Sequence, residues 1–490
     1  MKNMNENNMG VSNNNFKSIV IIGGGVGGLF SAWKLSEKGY KVTVLEQKKV
    51  IGGLSSSISH NGYQMDIGPH YITIPKKSDL LIQMKDLMGE NNMIEIPNIH
   101  DAYRTFFRGK ISKKYPTLYE TIRNNGIKFT IKSLYELIIS KILNFRKNSF
   151  ESSQDYLVST FGNFLYKKWF VPYLKFSFGD TNVSLKIIME RFPPISLKKF
   201  FRVLKNKIKQ SEFYEQKNST NGINEYFHWY PKLGMSSIIN SLERKIIENK
   251  GKINVESSVV SINHDENSKV VTYVKNNREI KLNADIIIYA TPLNIVKKWI
   301  FKENKNIKIN DKSIHSIVSF FCIDSPQVFD GWVITIYDTD LPFFRISQQN
   351  YLSKDIAPKN KSLLSIESKV TDNDELWNMD DHMLFSVLEK NLKSTGILHD
   401  EIIDDFKNIK IQNLYSINST IDSNEDSLEI TKKINEFKNE FLLGTTELDV
   451  GRLVSDDPHK NSNSKISLGG VFVALANADS LVKQIVSKIS

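Results

Sequence analysis

Six consecutive residues near the N-terminus carry the most specific chemistry in this chain. Gly23-Gly24-Gly25-Val26-Gly27-Gly28 puts glycine at the three positions a G-x-G-x-x-G turn requires, Gly23, Gly25 and Gly28. The spacing suits a diphosphate. Gly23 makes the tight turn, Gly25 omits a Cβ so that phosphate oxygens can approach the backbone, and Gly28 lets the next helix pack closely on the preceding strand. Val26 and Gly27 then stand at a helix N-terminus, where free N–H groups and the positive dipole end attract anions. Glu46 lies eighteen residues past Gly28, at the end of the following strand, with Gln47 beside it. A carboxylate there accepts hydrogen bonds from the adenosine ribose hydroxyls and repels a 2′-phosphate. The chemistry is capture of an adenine dinucleotide.

A second group follows closely. Ile51-Gly52-Gly53-Leu54 supplies a Gly-Gly turn that brings more backbone toward the diphosphate, and Gly68-Pro69-His70 is a rigid turn able to hold a ring-bearing cofactor. A flavin takes hydride at N5, so its protein mainly positions the substrate carbon and shields the ring. His70 is the candidate catalytic side chain, as a hydrogen-bond partner or proton shuttle; a histidine that merely closes a turn is the alternative. No Ser–His–Asp order or metal cluster stands out, and no metal is expected. The single cysteine, Cys322, excludes an intramolecular disulfide. It sits in an apolar run, 318–323, and reads as a buried strand residue with no tethering motif around it, so a non-covalent flavin is expected.

The elements that must position these residues follow from pattern. Ser18-Ile19-Val20-Ile21-Ile22 is a β-branched run suited to a strand buried on both faces. Leu29, Ala32, Trp33 and Leu35 then recur at helical spacing until Gly39, and residues 41–46 form a second strand. Strand, glycine turn, helix and strand fit within about thirty residues, as a βαβ unit needs. Helical spacing returns over 133–145 and 197–209. The latter run interleaves Phe200, Phe201, Val203, Leu204 and Ile208 with lysines and an arginine and holds no acid, which suits a membrane surface or an ordinary half-buried helix. Residues 253–262, 269–274 and 279–282 read as a β-meander, and 285–290 as a buried strand closed by Thr291-Pro292. Further strands are expected at 314–323, 332–337, 362–367 and 440–444, with helices over 375–392 and 476–489.

With these residues in place, the sequence resembles the FAD-dependent amine-oxidase and protoporphyrinogen-oxidase superfamily, which includes UDP-galactopyranose mutase. The glycine fingerprint, the acid and the Gly-Gly segment match its opening. Gly68-Pro69-His70 looks like the Gly-Pro-His motif that the mutases place beside the flavin ring. The stretch from Phe164 to Lys175, with Phe178-Gly179, resembles their aromatic Tyr–Lys–Trp-Gly segment, and Tyr230-Pro231-Lys232-Leu233-Gly234-Met235 is similar to the family's Pro-x-Gly-Gly-Met turn. The resemblance implies FAD, held by Gly23, Gly25, Val26, Gly27, Gly28, Glu46, Gln47, Gly52, Gly53, Leu54, Gly68, Pro69 and His70. It adds the backbone of Val259 at the adenine, Ala290 at a strand end, and the glycines Gly444 and Gly470 near the isoalloxazine. Substrate contacts are implied for Tyr173, Arg191, Arg345 and Tyr351; Arg345 resembles an arginine that meets the substrate diphosphate in the mutases, a contact that suits a guanidinium fork. Departures are clear. Leu54 stands where many amine oxidases carry arginine, Ile195 replaces the second arginine of a mutase Arg-Leu-Pro-x-Arg run, and a polar insertion including 455–459 interrupts the C-terminal glycine element.

The expected fold is α/β: a Rossmann-type FAD-binding domain (glutathione-reductase-like, with a β-meander) plus an α+β substrate-binding domain. Residues 1–15 form a disordered tail. Residues 16–100, 225–300 and 440–490 make the discontinuous FAD-binding domain, and 101–224 with 301–439 make the substrate domain with a helical insertion. The leading function is an oxidoreductase that removes hydride from an organic substrate to flavin N5. A flavin-dependent nucleotide-sugar mutase and a non-catalytic flavin-binding protein are the alternatives. Across 490 residues with 40% hydrophobic side chains the chain can build a sizeable core. Its net charge of +11 allows an anionic small-molecule substrate, whereas the sequence has no nucleic-acid-binding signature. No run reaches the ~18 apolar residues of a membrane span. A cytoplasmic protein is expected, with the 197–209 run as a candidate for peripheral membrane contact.

Overall fold

The computed structural model describes residues 17–97, 99–113, 125–144, 149–178, 225–264, 269–301, 314–415, 430–443 and 470–489, with a few single positions between 147 and 192. The tail at 1–15, Arg191, Ile195, the 197–209 run, Gly444 and the 455–459 insertion lie outside the described residues.

The fold is mixed α/β. The strand Ser18–Ile22 lies at the centre of a five-stranded sheet. It pairs in parallel with Lys41–Leu45 on one side and Ile286–Tyr289 on the other, and Lys252–Asn254 and Glu440–Leu442 complete the two edges. β-Branched side chains fill it because both faces are covered. Ile19 and Ile21 point into a core shared with the helices Val26–Glu37, Ser236–Glu248 and Gly470–Ile489. Val20 and Ile22 point the other way, onto an antiparallel meander of Ser258–Asn263, Lys269–Lys275 and Arg278–Ala284. A one-residue shift would exchange the two cores.

Several boundaries differ from expectation. Residues 253–262 are not one strand. Lys252–Asn254 belongs to the parallel sheet, the chain turns at Glu256, whose φ is +53°, and the meander starts only at Ser258. The last helix begins at Gly470 rather than at 476, because Val471, Phe472, Val473 and Leu475 are buried against the fingerprint helix. The expected helix over 375–392 is two helices, Glu375–Asn378 and Asp381–Thr395, the second capped by Asp380, whose carboxylate accepts from the amides of His382 and Met383.

A seven-stranded sheet runs in the order Ile403–Tyr415, Ile314–Ile323, Ser362–Val370, Arg345–Gln348, Val333–Ile336, Tyr103–Phe107 and Lys110–Lys113. All its pairings are antiparallel except that of Val333–Ile336 with Tyr103–Phe107. A smaller sheet joins Ile72–Pro75, Tyr226–Pro231 and Met93–Glu95. Helices Ser153–Phe161 and Val171–Phe178 pack around an aromatic cluster, and Ile127–Leu143 packs against Ser153–Phe161 and, through Phe129, against Phe107. Among the described residues no helix is long and apolar enough to cross a membrane.

Candidate cofactor and substrate site

The glycines of the fingerprint have distinct physical reasons. A Cβ at Gly23 would stand 2.3 Å from the carbonyl oxygen of Ala290, and one at Gly28 would stand 2.3 Å from that of Gly23. These two positions exclude any side chain because backbone meets backbone. At Gly25 a Cβ would meet nothing within 4 Å. That open cradle sits at the N-cap of Val26–Glu37, which has no side-chain cap and no acid in its first turn. Uncapped helix amides facing open space are what a diphosphate needs. The Gly-Gly turn closes over it: the Gly52 amide donates to the Gly24 carbonyl at 2.7 Å, and Gly53 lies against Gly25. Gly52 and Gly53, at φ +108° and +59°, need glycine's conformational freedom.

Glu46 is buried at the end of its strand. Its carboxylate accepts from the amides of Gly24 and Lys48, both at 2.8 Å, so it is fixed beside the fingerprint loop. Residues 254–257 run alongside: Glu46 donates to Asn254, and Ser257 donates to the Glu46 carbonyl. This ladder brings Ser257 against Glu46, just before the meander strand Ser258–Asn263 that carries Val259. Ala290 donates to Ile22 and abuts Gly23. Gln47 and Leu54 are exposed. Gly23, Gly25, Val26, Gly27, Gly28, Glu46, Gly52, Gly53 and Ala290 are therefore brought together, and the open cradle at Gly25 fits a dinucleotide.

The Gly68-Pro69-His70 turn is held by a buried network. Asp66 is 2% exposed and accepts from Ser57 Oγ, Tyr230 OH and the Met235 amide. Gln349 grips the Asp66 backbone with both ends of its amide, at 3.0 and 2.8 Å. Burial pushes the Asp66 carboxyl up, against the hydrogen bonds of Ser57, Tyr230 and Met235 and the charge of nearby His70. Tyr230 is pushed well above the usual phenol range by burial and by Asp66. Gly234, at φ +83°, lets the Tyr230–Met235 turn reach this carboxylate. His70 Nε2 lies 2.9 Å from the Ile67 carbonyl and 3.1 Å from that of Leu54, which ties the turn to the Gly-Gly segment.

Arg345 and Glu367 form a two-pronged ion pair directly opposite each other on neighbouring strands, with Nε and Nη2 each 2.6 Å from a carboxylate oxygen. The Glu367 side chain is 4% exposed and that of Arg345 is 32%. A Cβ at Gly68 would lie 3.8 Å from Glu367 and 3.6 Å from the His70 ring. The pair thus borders the turn. Glu367 and Asp66 were not anticipated from sequence; for Glu367 the available signal was a lone acid in a strand of serines, aliphatic residues and one lysine, Ser362–Val370.

Tyr173 stacks on Trp169 at 5.5 Å and 4° and meets Phe192 and Tyr337 edge-on or tilted. It packs in the aromatic cluster behind a cavity of about 870 Å³ lined by Phe106, Arg108, Phe129, Lys132, Phe164 and Tyr337, among others. Tyr351, 45% exposed, stands on the same short turn as Gln349. Among the described residues no group of three or more His, Cys, Asp and Glu could hold a metal.

The helix-terminal cradle, the anchored acid and the meander together define a flavin dinucleotide enzyme of the amine oxidoreductase type. Residues 26–413 match the family described as flavin containing amine oxidoreductase, and the chain belongs to that family; FAD is its cofactor. Phytoene desaturase from Phycomyces blakesleeanus is 26% identical over 305 residues, covering 56% of this chain and 47% of the relative. The 4,4'-diapolycopen-4-al dehydrogenase of Metabacillus indicus is 24% identical over 317 residues, 62% of each. The matches thus span less than two thirds of these relatives. Among solved structures, reduced UDP-galactopyranose mutase superposes with a TM-score of 0.72 at 17% identity over 96% of both chains. A protoporphyrinogen oxidase-like protein from Exiguobacterium sp. 255-15 gives 0.67 at 15% identity, covering 96% of this chain and 99% of that one. The expected superfamily and cofactor are borne out.

Proposed function

We propose that this flavin-dependent oxidoreductase removes hydride from an apolar, unsaturated organic substrate, of the kind named in its desaturase and dehydrogenase relatives. The observation that carries the reading is the Arg345–Glu367 pair. A mutase acting on a nucleotide sugar needs a cationic fork for the substrate diphosphate. Here two guanidinium donors hold a buried carboxylate, which offsets the cation's charge beside the Gly68 turn. That pairing supports net redox chemistry over diphosphate recognition, and contact of Arg345, Tyr173 and Tyr351 with substrate would then be steric and apolar. The mutase superposition supports the alternative at the level of fold alone.

When bound, FAD supplies the hydride acceptor. The chain's contribution is to seat it. Gly25 and the amides of Val26 and Gly27 would take the diphosphate, Glu46 the ribose, Val259 the adenine side, and Gly52, Gly53 and the Gly68-Pro69-His70 turn the ring end. His70, anchored to two carbonyls, would orient that end or move a proton there. A cysteine tether is disfavoured: Cys322 is fully buried in the strand Ile314–Ile323, and burial pushes its thiol up to about 12, away from a reactive thiolate. In this arrangement residues 16–100, 225–300 and 440–490 serve the cofactor, and 101–224 with 301–439 serve the substrate.

The test is turnover state. Purified protein given a polyene should produce a more unsaturated product while reducing oxygen or a dye. Rearrangement of a UDP-sugar by dithionite-reduced protein, with no acceptor consumed, would overturn the assignment.

A further inference from the structure

The helix Ile127–Leu143 is inverted with respect to water. Its buried positions are Thr130 and Ser140, whose hydroxyls turn back to the Gly126 and Leu137 carbonyls. Its exposed apolar positions are Ile127, Ile131, Tyr135, Ile139, Ile142 and Leu143, five of them at least 60% exposed. At about 100° per residue these six sweep an arc of roughly 160° along a helix about 25 Å long. A helix whose partner is only its own protein would bury the isoleucines and show the threonine and serine. The apolar ridge faces outward.

Charge says what it faces. The helix carries Lys128, Lys132 and Lys141 and a single acid, Glu136. That acid is turned inward, where it accepts from the Phe164 amide at 2.5 Å and packs against Gly162. Lys128 and Lys132 are exposed, and both border the cavity that Arg108 and Lys168 also line. An apolar ridge interleaved with lysines matches the boundary of an anionic bilayer: the side chains enter the acyl region, and the ammonium groups reach the headgroups. A second copy is a poor occupant, since two such lysine-bearing faces on chains of net charge +11 repel.

We infer that Ile127–Leu143 docks this protein on an anionic lipid surface, its axis in the plane of the membrane, with the cavity opening beside the headgroups. The inference rests on exposure and charge and stands whether or not the proposed redox reaction is correct.

The FAD-loaded full chain should co-sediment with vesicles of phosphatidylcholine containing roughly 30 mol % phosphatidylglycerol, and about ten-fold less with phosphatidylcholine alone. The pair of exposed changes Ile131→Glu and Ile142→Glu should cut vesicle binding about ten-fold or more without lowering Tm. Because Cys322 is buried, a fluorophore attached after Ile131→Cys reports that position alone. Its emission should shift to the blue on adding anionic vesicles, while the same label after Met383→Cys, at an exposed position near the start of the helix Asp381–Thr395, should not shift. Protein that stays in the supernatant, a label that does not shift, or a concentration-dependent dimer abolished by Ile131→Glu in the absence of lipid would each overturn the inference.

Discussion

Alanine at Gly25 and alanine at Gly28 should fail in opposite ways. At Gly25 φ is −72°, ordinary for any residue, and the new methyl would enter space with no atom within 4 Å. The apoprotein should fold as before, gaining about 0.4–1 kcal/mol because the unfolded chain is less free. The methyl nevertheless fills the cradle that the diphosphate requires. Loss of one hydrogen bond to a charged acceptor costs about 1.5–3 kcal/mol, so the FAD Kd should rise on the order of 10- to 100-fold. At Gly28 the methyl would stand 2.3 Å from a backbone oxygen that cannot move without shifting the first strand. Overpacking of that kind costs about 1–3 kcal/mol or more, so Gly28→Ala should unfold earlier even without flavin. Thermal melts of the two apoproteins, followed by FAD titration with fluorescence quenching, separate the effects. Wild-type FAD affinity in a folded Gly25→Ala protein would show that no diphosphate crosses Gly25.

Other perturbations follow from the buried charges. Glu440, with a fully buried side chain, holds Tyr289 OH at 2.6 Å, His264 at 3.1 Å and Lys269 at 3.7 Å; Glu440→Ala leaves a buried lysine unmatched and should cost about 3–5 kcal/mol by chemical denaturation, with a loss under 1 kcal/mol counting against the network. For Arg345 and Glu367, single changes to Met and Gln should each destabilise by about 2–3 kcal/mol, and the double variant by less than their sum; simple additivity would mean that the pair does not couple. Against the upward push of burial, hydrogen bonds from Asn61, the Phe406 amide and His60 hold the Asp405 carboxyl below 3.8. A depressed carboxyl stabilises above its unfolded value and loses that contribution as pH falls through its folded value. The stability gap between wild type and Asp405→Asn should therefore be full above about pH 5 and shrink below about pH 4; a gap independent of pH would remove Asp405 as its source.

Local chemistry was legible and long-range pairing was not. The fingerprint, its helix and Glu46 sit within one βαβ unit, so the motif can be recognised from neighbours close in sequence. The strands Ile314–Ile323 and Ser362–Val370 were legible from their apolar content, Ile317, Val318, Phe320 and Phe321 in the first and Leu363, Leu364 and Ile366 in the second. Ile403–Tyr415 was not, because its lysines, aspartates and asparagines alternate with apolar residues on a sheet edge that is half in water. The break between Asn254 and Ser258 was hidden because both flanking segments are β-prone; only the positive φ at Glu256 sends them to different sheets. Glu367 was missed for a related reason. Its partner Arg345 is brought opposite by strand register, and no spacing in the sequence encodes that register.

Even the most local motif depends on the far end of the chain. Gly27 packs against Leu443, from the C-terminal edge strand, and against the carbonyl of Ala474 in the last helix, with no room for a side chain larger than hydrogen without adjustment at about 3.1–3.2 Å. The helix N-terminus can aim its amides at a diphosphate only when Gly470–Ile489 is docked behind it. A ligand that binds the folded state alone stabilises every contact that state requires. Flavin seated at Gly25, as proposed, would therefore secure the C-terminal helix, and the docked helix would in turn preserve the cradle: the fingerprint and the last helix are linked through a turn that carries no side chain at all.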